Sequence, residues 1–245
     1  MISVGKRVAI VTGASRGIGR AVAERLAKDG FAVIVNYTES KSAAEDVAKE
    51  IIDSGAMAKA FRADVSEPNQ VTAMFDFAED EFGRSDIAVN CAGIMMLKPL
   101  SEFDIADFDR MHAINVRGTF LVSQQAAKRL QNGGAIINIS TSAERQALPG
   151  YGPYAMTKGA VEALNLVLAR ELKGRDITVN SVGPGPTATE LFLKDKSEGL
   201  IAAIGSLNPF NRIGQPQEIA EVVSFLAGPA RWVNGQAIYV NGGMN

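Results

Sequence analysis

A single-domain α/β fold, with a doubly wound, seven-stranded parallel sheet and helices on both faces, is predicted by three features of the 245-residue sequence. Short β-type runs alternate with longer helical patterns from end to end, as in stacked βαβ units. The short runs carry little internal polarity, as expected of strands buried on both faces. No domain linker, low-complexity stretch or internal repeat interrupts them, so 1–245 reads as one domain. Right-handed crossovers then distribute the helices over the two faces and set the site outside the carboxyl ends of the strands.

Run length and apolar content place each element in order. The first strand is Val8 to Thr12 and its helix Ile18 to Lys28; the second pair is Ala32 to Asn36 and Ser42 to Ser54; the third is Ala58 to Ala63 and Gln70 to Phe82. The fourth strand, Ile87 to Asn90, leads to a helix near Phe108 to Leu130, and the fifth, Ala135 to Ser140, to a helix near Pro153 to Leu172. The sixth strand spans Ile177 to Val182, and a last helix, Glu218 to Ala227, precedes the strand Ala237 to Val240. Between them Pro184 to Arg212 is irregular, rich in Pro and Gly, and carries the apolar segment E-L-F-L-K. A long segment of that kind is more often a lid than a bare connection, so a substrate lid is expected around 187–212, with Leu191, Phe192, Leu193 and Phe210 as its apolar face.

Composition narrows the function. Hydrophobic residues make up 47% and charged residues 21%, and 25 Lys and Arg nearly balance 27 Asp and Glu, which is no footprint for nucleic acid and no disordered tail. One cysteine, Cys91, allows no internal disulfide, and with one histidine, His112, no metal site is expected. No run is long enough to cross a bilayer, and the N-terminal M-I-S-V-G-K-R is followed by too short an apolar run for a signal peptide. A soluble cytoplasmic protein is the expectation, since reducing conditions suit an unpaired thiol.

Directly after the first strand comes T-G-A-S-R-G-I-G, residues 12–19, opening into a helix. Gly13 permits a tight turn, Gly17 lets the backbone approach a phosphate, and Gly19 allows close packing. Together with Ser15, Arg16 and Ile18 they form a cradle at a helix N-terminus, where free N–H groups suit a pyrophosphate. At the end of the second strand, V-I-V-N-Y, Asn36 stands where a carboxylate would hold the ribose of NAD(H). Its neutrality, with positive charge from Arg16 and Lys41 as a second candidate, favours NADP(H) over NAD(H).

The stretch Y-A-M-T-K puts Tyr154 and Lys158 four residues apart, side by side on one helix face. A fixed positive charge beside a phenol favours its anion, so the pair reads as a proton donor and its tuner.

With these two motifs the chain resembles the short-chain dehydrogenase/reductase family, nearly end to end, and is most similar in pattern to 3-oxoacyl-[acyl-carrier-protein] reductase-like members. The resemblance implies a Rossmann fold and extends to further segments. Asp64 and Val65 resemble the family's adenine-contacting pair; N-C-A-G, with Asn90, Ala92 and Gly93, resembles its segment beside the adenosine ribose; and V-N-G-G resembles its C-terminal ending. P-G-P-T-A-T, with Pro184, Gly185, Thr187 and Thr189, resembles the segment under the nicotinamide, and Asn115 the asparagine holding a water in the family's proton relay.

The activity so implied is NADP(H)-dependent, reversible reduction of a carbonyl to an alcohol, with Tyr154 as acid or base, Lys158 binding nicotinamide ribose and favouring the tyrosinate, and an apolar small-molecule substrate. The family's substrate-binding serine falls in register on Thr141, with Ser142 a close rival and Ser140 expected on the opposite strand face. Family members usually assemble as tetramers through the two long helices and the C-terminal region, so a homo-oligomer is implied. A non-catalytic NADP(H)-binding regulator or scaffold, a sugar or polyol dehydrogenase and a methyltransferase of the same general fold are the alternatives. His112 and Cys91 read as packing residues; Met95 and Met96 suit core or pocket equally, and Trp232 an interface or simple packing.

Overall fold

The computed structural model describes residues 5–194 and 196–244; the N-terminal M-I-S-V and residue 195 of the expected lid lie outside the described residues. Seven parallel strands form one sheet: β1 (Val8–Val11), β2 (Ala32–Tyr37), β3 (Met57–Arg62), β4 (Ile87–Asn90), β5 (Ala135–Ile139), β6 (Thr178–Pro184) and β7 (Ala237–Val240), in the order β3-β2-β1-β4-β5-β6-β7. The order reverses between β1 and β4, and that switch point opens a crevice at the carboxyl ends of the strands.

Alternate residues of the central strands feed two cores. Ala9, Val11, Val33, Val35, Val89 and Ile137 face one layer of helices, while Ile10, Ile34, Ala88 and Ile136 face the other. All of these are fully buried, and at roughly 1.5–3 kcal/mol for each larger aliphatic side chain this burial is the main force closing the layers. The helices are α1 (Gly17–Lys28), α2 (Lys41–Asp53), α3 (Pro68–Phe82), α4 (Ile105–His112), α5 (Thr119–Arg129), α6 (Ala143–Gln146), α7 (Gly152–Glu171), α8 (Glu190–Leu193), α9 (Glu198–Gly205) and α10 (Pro216–Ala227).

Three local features differ from the sequence-based expectation. The single helix expected near Phe108 to Leu130 starts earlier, and between α4 and α5 it passes through a π-helical turn, Ala113–Gly118, that contains Asn115. A π turn takes one extra residue without breaking the apolar pattern, so periodicity does not announce it. The lid region, read as irregular, contains α8 and α9, whose N-termini are capped by the Thr189 and Ser197 hydroxyls accepting from Phe192 N and Leu200 N. A one-turn helix, α6, follows β5 and ends at Ala147 in the left-handed region (φ 50°).

Candidate active site

The glycine turn is held to its neighbours by short backbone approaches. The Thr12 hydroxyl accepts from Cys91 N and Ala92 N, both at 3.1 Å, tying the end of β1 to the end of β4. Gly13 has φ 61° and a Cβ there would stand 2.8 Å from Ala92 Cα; a Cβ on Gly19 would collide with the Gly13 carbonyl oxygen. Gly19 thus seats α1 on the turn itself. Arg16 is the N-cap of α1 in extended conformation and no side chain caps the helix, so its first N–H groups are left for a ligand.

A cavity of about 690 Å³ runs from this turn along the carboxyl ends of the strands. Gly13, Ser15, Arg16, Gly17, Ile18 and Gly19 line one end; Asp64, Val65, Ala92 and Gly93 line its middle; and Pro184, Gly185, Thr187 and Thr189 line the far wall with Tyr154 and Lys158. Thr189 also closes on the turn, for a Cβ on Gly17 (φ 56°) would lie 3.3 Å from its Cγ2. An uncapped helix N-terminus, glycines that side chains would fill and an elongated cleft fit a dinucleotide.

Two expected cofactor residues lie elsewhere. Asn36 is 1% exposed and absent from the cavity wall. Its Oδ1 accepts from Gly13 N at 3.2 Å and its Nδ2 donates to Ala63 O at 3.0 Å, so it braces the turn against β3. The strand runs one residue past the expected end, and Tyr37, Thr38, Glu39 and Ser40 beyond it line the cavity instead. Asn90 is also buried: its Nδ2 donates to Asn138 Oδ1 at 2.7 Å, and Asn138 Nδ2 donates to Asn165 Oδ1 at 2.6 Å, a chain of amides running from β4 through β5 to α7. Of the charges expected at the cofactor, Arg16 reaches the cavity and pairs with Glu190 at 3.2 Å, whereas Lys41 pairs with Glu45 within α2 and stays off the wall. Asp64 holds Ser66, its Oδ1 accepting from Ser66 N at 2.9 Å and Ser66 Oγ at 2.7 Å. Val65 packs on Gly118, where a Cβ would stand 2.6 Å from Val65 Cγ2.

Tyr154 and Lys158 share the inner face of α7, with Lys158 Nζ 5.9 Å from the Tyr154 ring centroid. Lys158 is 6% exposed and donates to Ile139 O at 2.8 Å. Burial lowers its ammonium to about 8, opposed by the Cys91 thiol. Burial likewise pushes the Tyr154 phenol up to about 12, opposed by the Thr141 hydroxyl beside it. The direction is opposite to that expected from the sequence: the Lys158 ammonium is turned to a carbonyl, and burial together with the neighbouring Tyr151 outweighs the Thr141 hydroxyl at the phenol.

Thr141, 8% exposed, meets the phenol, and its Oγ1 accepts from Ala143 N at 3.2 Å. Ser142 also lines the cavity, but its Oγ is buried with no partner among the described residues. Asn115 is fully buried; its Oδ1 accepts from Ile94 N at 2.9 Å, and its Nδ2 donates to Ile94 O at 2.9 Å and Thr157 Oγ1 at 3.1 Å. Both amide hydrogens are therefore used, and Oδ1 keeps one lone pair. That oxygen and Lys158 Nζ flank Gly93, 3.2 and 3.6 Å from where its Cβ would stand.

Other residues resolve simply. His112 stacks on Phe108 with ring centroids 3.9 Å apart, and its Nδ1 contacts Phe108 O at 3.1 Å. Burial raises the Cys91 thiol to about 12, against the pull of Lys158. Met95 lines the cavity and Met96 does not. Trp232 is 100% exposed. From the expected lid set Leu191 and Phe192 line the cavity, while Leu193 and Phe210 do not and Phe210 is 68% exposed. The sequence reading missed Leu148, Tyr151, Ile204, Leu207 and Met244, which complete the apolar end and come from three separate segments.

Comparison with known proteins agrees with this architecture. A family profile described as enoyl-(acyl carrier protein) reductase matches residues 13–245. An NADPH-dependent aldehyde reductase-like chloroplastic protein of Arabidopsis thaliana is 46% identical over 252 residues, covering 97% of this chain and 93% of the relative. A versicolorin reductase of Emericella nidulans is 38% identical, covering 97% and 95%. Among solved structures, a short-chain dehydrogenase from Burkholderia cenocepacia in complex with NADP superposes with a TM-score of 0.93 at 36% identity, covering 98% of each chain. A Serratia marcescens short-chain dehydrogenase/reductase variant superposes at 0.92 with 40% identity, covering 97% of each. With this similarity over nearly its whole length, the chain belongs to the short-chain dehydrogenase/reductase family.

Proposed function

We propose that the protein is an NADP(H)-dependent reductase that converts the carbonyl of an apolar aldehyde or ketone to an alcohol, reversibly. The observation that carries this reading is the meeting of the Tyr154 phenol and the Thr141 hydroxyl in a cavity whose other end is the uncapped start of α1. NADP(H) as cofactor is supported by the relatives named above, and on this chain by Arg16 and the hydroxyls of Tyr37, Thr38 and Ser40 at the cavity edge, where a 2′-phosphate finds donors. Lys158, Thr187 and Thr189 hold the nicotinamide half, and the backbone of Gly13 to Gly19 the pyrophosphate.

The bound cofactor supplies the hydride. Thr141 orients the substrate oxygen by a hydrogen bond, and Tyr154 donates its proton to that oxygen as it gains negative charge. A phenol held at about 12 keeps its proton at neutral pH, which suits the reductive direction. In reverse, Tyr154 must lose the proton, and Lys158, still largely charged below about 8, favours that step when its ammonium turns from Ile139 O toward the phenol. Water held at the free lone pair of Asn115 Oδ1 links the Lys158 ammonium to solvent.

The substrate end is apolar, with Ile94, Met95, Leu148, Phe192, Ile204 and Leu207 on its walls, which favours hydrophobic carbonyl compounds over sugars and polyols. A homo-oligomer is supported by bare apolar residues on the long helices, Phe120 of α5 and Met156, Leu166 and Val167 of α7, each about half exposed. No helix is long and apolar enough to cross a membrane among the described residues. The deciding experiment follows NADPH absorbance with a panel of aldehydes, aromatic ketones, 3-oxoacyl thioesters and sugars. Cofactor binding without turnover of any carbonyl would instead mark a nucleotide-sensing protein.

A further inference from the structure

Behind Thr141, three side chains from three elements converge. The Tyr239 ring of β7 lies across Gly183 of β6: a Cβ on Gly183 would stand 2.6 Å from Tyr239 Cδ1 and 3.4 Å from the Thr141 carbonyl carbon. The Tyr239 hydroxyl is 2.7 Å from Glu144 Oε1 of α6 and 3.1 and 2.9 Å from Oε1 and Oε2 of Glu162 of α7. A phenol has one hydrogen to donate, so it satisfies one carboxylate only. Two ionised carboxylates around one hydroxyl would leave oxygen facing oxygen, and the arrangement is satisfied only when Glu144 and Glu162 share a further proton.

The surroundings pull in both directions. On α6 the exposed Arg145 guanidinium lies 4.3 Å from the Tyr239 ring centroid and attracts both carboxylates, which favours their anions. At the end of β5 the Ser140 hydroxyl favours the Glu162 anion as well. Lys158, one turn before Glu162 on α7, spends its ammonium on Ile139 O. Burial first, then Glu144, raises the Glu162 carboxyl above the ordinary carboxylate range. The four-residue α6, which starts directly after Thr141 and Ser142, has no side-chain cap, and its Glu144 reaches the Tyr239 hydroxyl of β7.

We propose that Glu162, with Glu144 and Tyr239, is a proton-sharing positioning cluster that clamps α6 to α7 and β7, holding Thr141 against Tyr154 while the shared proton is present and releasing it when that proton is lost. The proposal rests on the reading of Thr141 and Tyr154 as the pair that meets the substrate oxygen. A carboxyl raised by folding stabilises the fold at low pH, and that contribution disappears as pH rises through its raised value. Glu162 therefore acts through Thr141 and touches no reactant.

Glu162→Gln copies the protonated shape without its titration. It is expected to hold neutral-pH kcat within about twofold and to move the descending limb of the kcat profile to higher pH, while Glu162→Ala lowers kcat about tenfold with unchanged NADPH affinity. Infrared difference spectra across a pH titration should show in the parent a protonated-carboxyl band that persists to higher pH than an ordinary carboxyl allows, and that Glu162→Gln and Glu144→Gln each remove. The parent melting temperature should fall with rising pH through the same window, and that of Glu162→Gln should stay flatter. Superimposable pH profiles of parent and Glu162→Gln, or no protonated-carboxyl band, overturn the proposal. The infrared and melting measurements judge the cluster even if Glu162→Ala does not fold or if no carbonyl substrate is turned over, so its failure is separable from failure of the functional reading.

Discussion

Arg16, the N-cap of α1, pairs with Glu190, the first residue of α8, at 3.2 Å, joining the glycine turn to the lid across the cavity mouth. Both side chains are largely exposed, at 67% and 75%, so the pair is worth under about 1 kcal/mol and an incoming phosphate can displace it. Glu190→Gln is expected to tighten NADPH by about threefold and leave NADH unchanged, whereas Arg16→Ala weakens NADPH by about tenfold or more. Fluorescence titrations with both nucleotides measure this; equal losses for the two would remove Arg16 from phosphate binding.

Tyr154→Phe keeps the ring and deletes the proton. A loss in kcat of about 10²-fold or more, with cofactor affinity within about twofold, is the outcome expected of a general acid. Comparable turnover by the variant would refute the assigned mechanism.

Thr141 and Ser142 are separated by geometry. Because the Thr141 hydroxyl faces the phenol while Ser142 Oγ is buried and unpartnered, Thr141→Val should lower kcat/KM about 10- to 100-fold, Thr141→Ser should restore most of it, and Ser142→Ala should cost little. Steady-state kinetics on the three variants decides, and the opposite order would assign the role to Ser142.

Lys158 has a pH signature of its own. Its folded value of about 8 lies below the free lysine value of 10.5, so between them the unfolded chain binds more protons and stability rises with pH. In the nucleotide-free protein the melting temperature should gain a few degrees between about pH 8 and 10 relative to Lys158→Met, at roughly 2–4 °C per kcal/mol for a chain of this size. Parallel curves for the two proteins would place the ammonium outside a desolvated site.

The sheet was legible because each of its strands is a short apolar run, and the boundaries of most agree to within two residues. The nucleotide turn and the Tyr154–Lys158 face were visible as patterns because each lies within one turn or one helix, whereas their partners on β2, at the end of β4 and on β5 were not. Asn36 was misread because the strand continues to Tyr37, which moves the cavity-facing positions one residue on. Spacing showed that an ammonium lies near Tyr154 but not that it points to Ile139 O. The Glu144, Glu162 and Tyr239 cluster had no signature at all, its hydroxyl contacts joining positions 77 and 95 apart in the chain.

Beneath these sites lies the amide chain of Asn90, Asn138 and Asn165, which crosses β4, β5 and α7 without one ionisable group. Two strands and the catalytic helix are thereby sewn together by contacts that no proton can loosen. Lys158, Tyr154 and the Glu144–Glu162 pair can gain or lose protons around this chain of amides, which itself has no proton to exchange. The site can therefore change its protonation without changing the contacts that place α7 on the sheet.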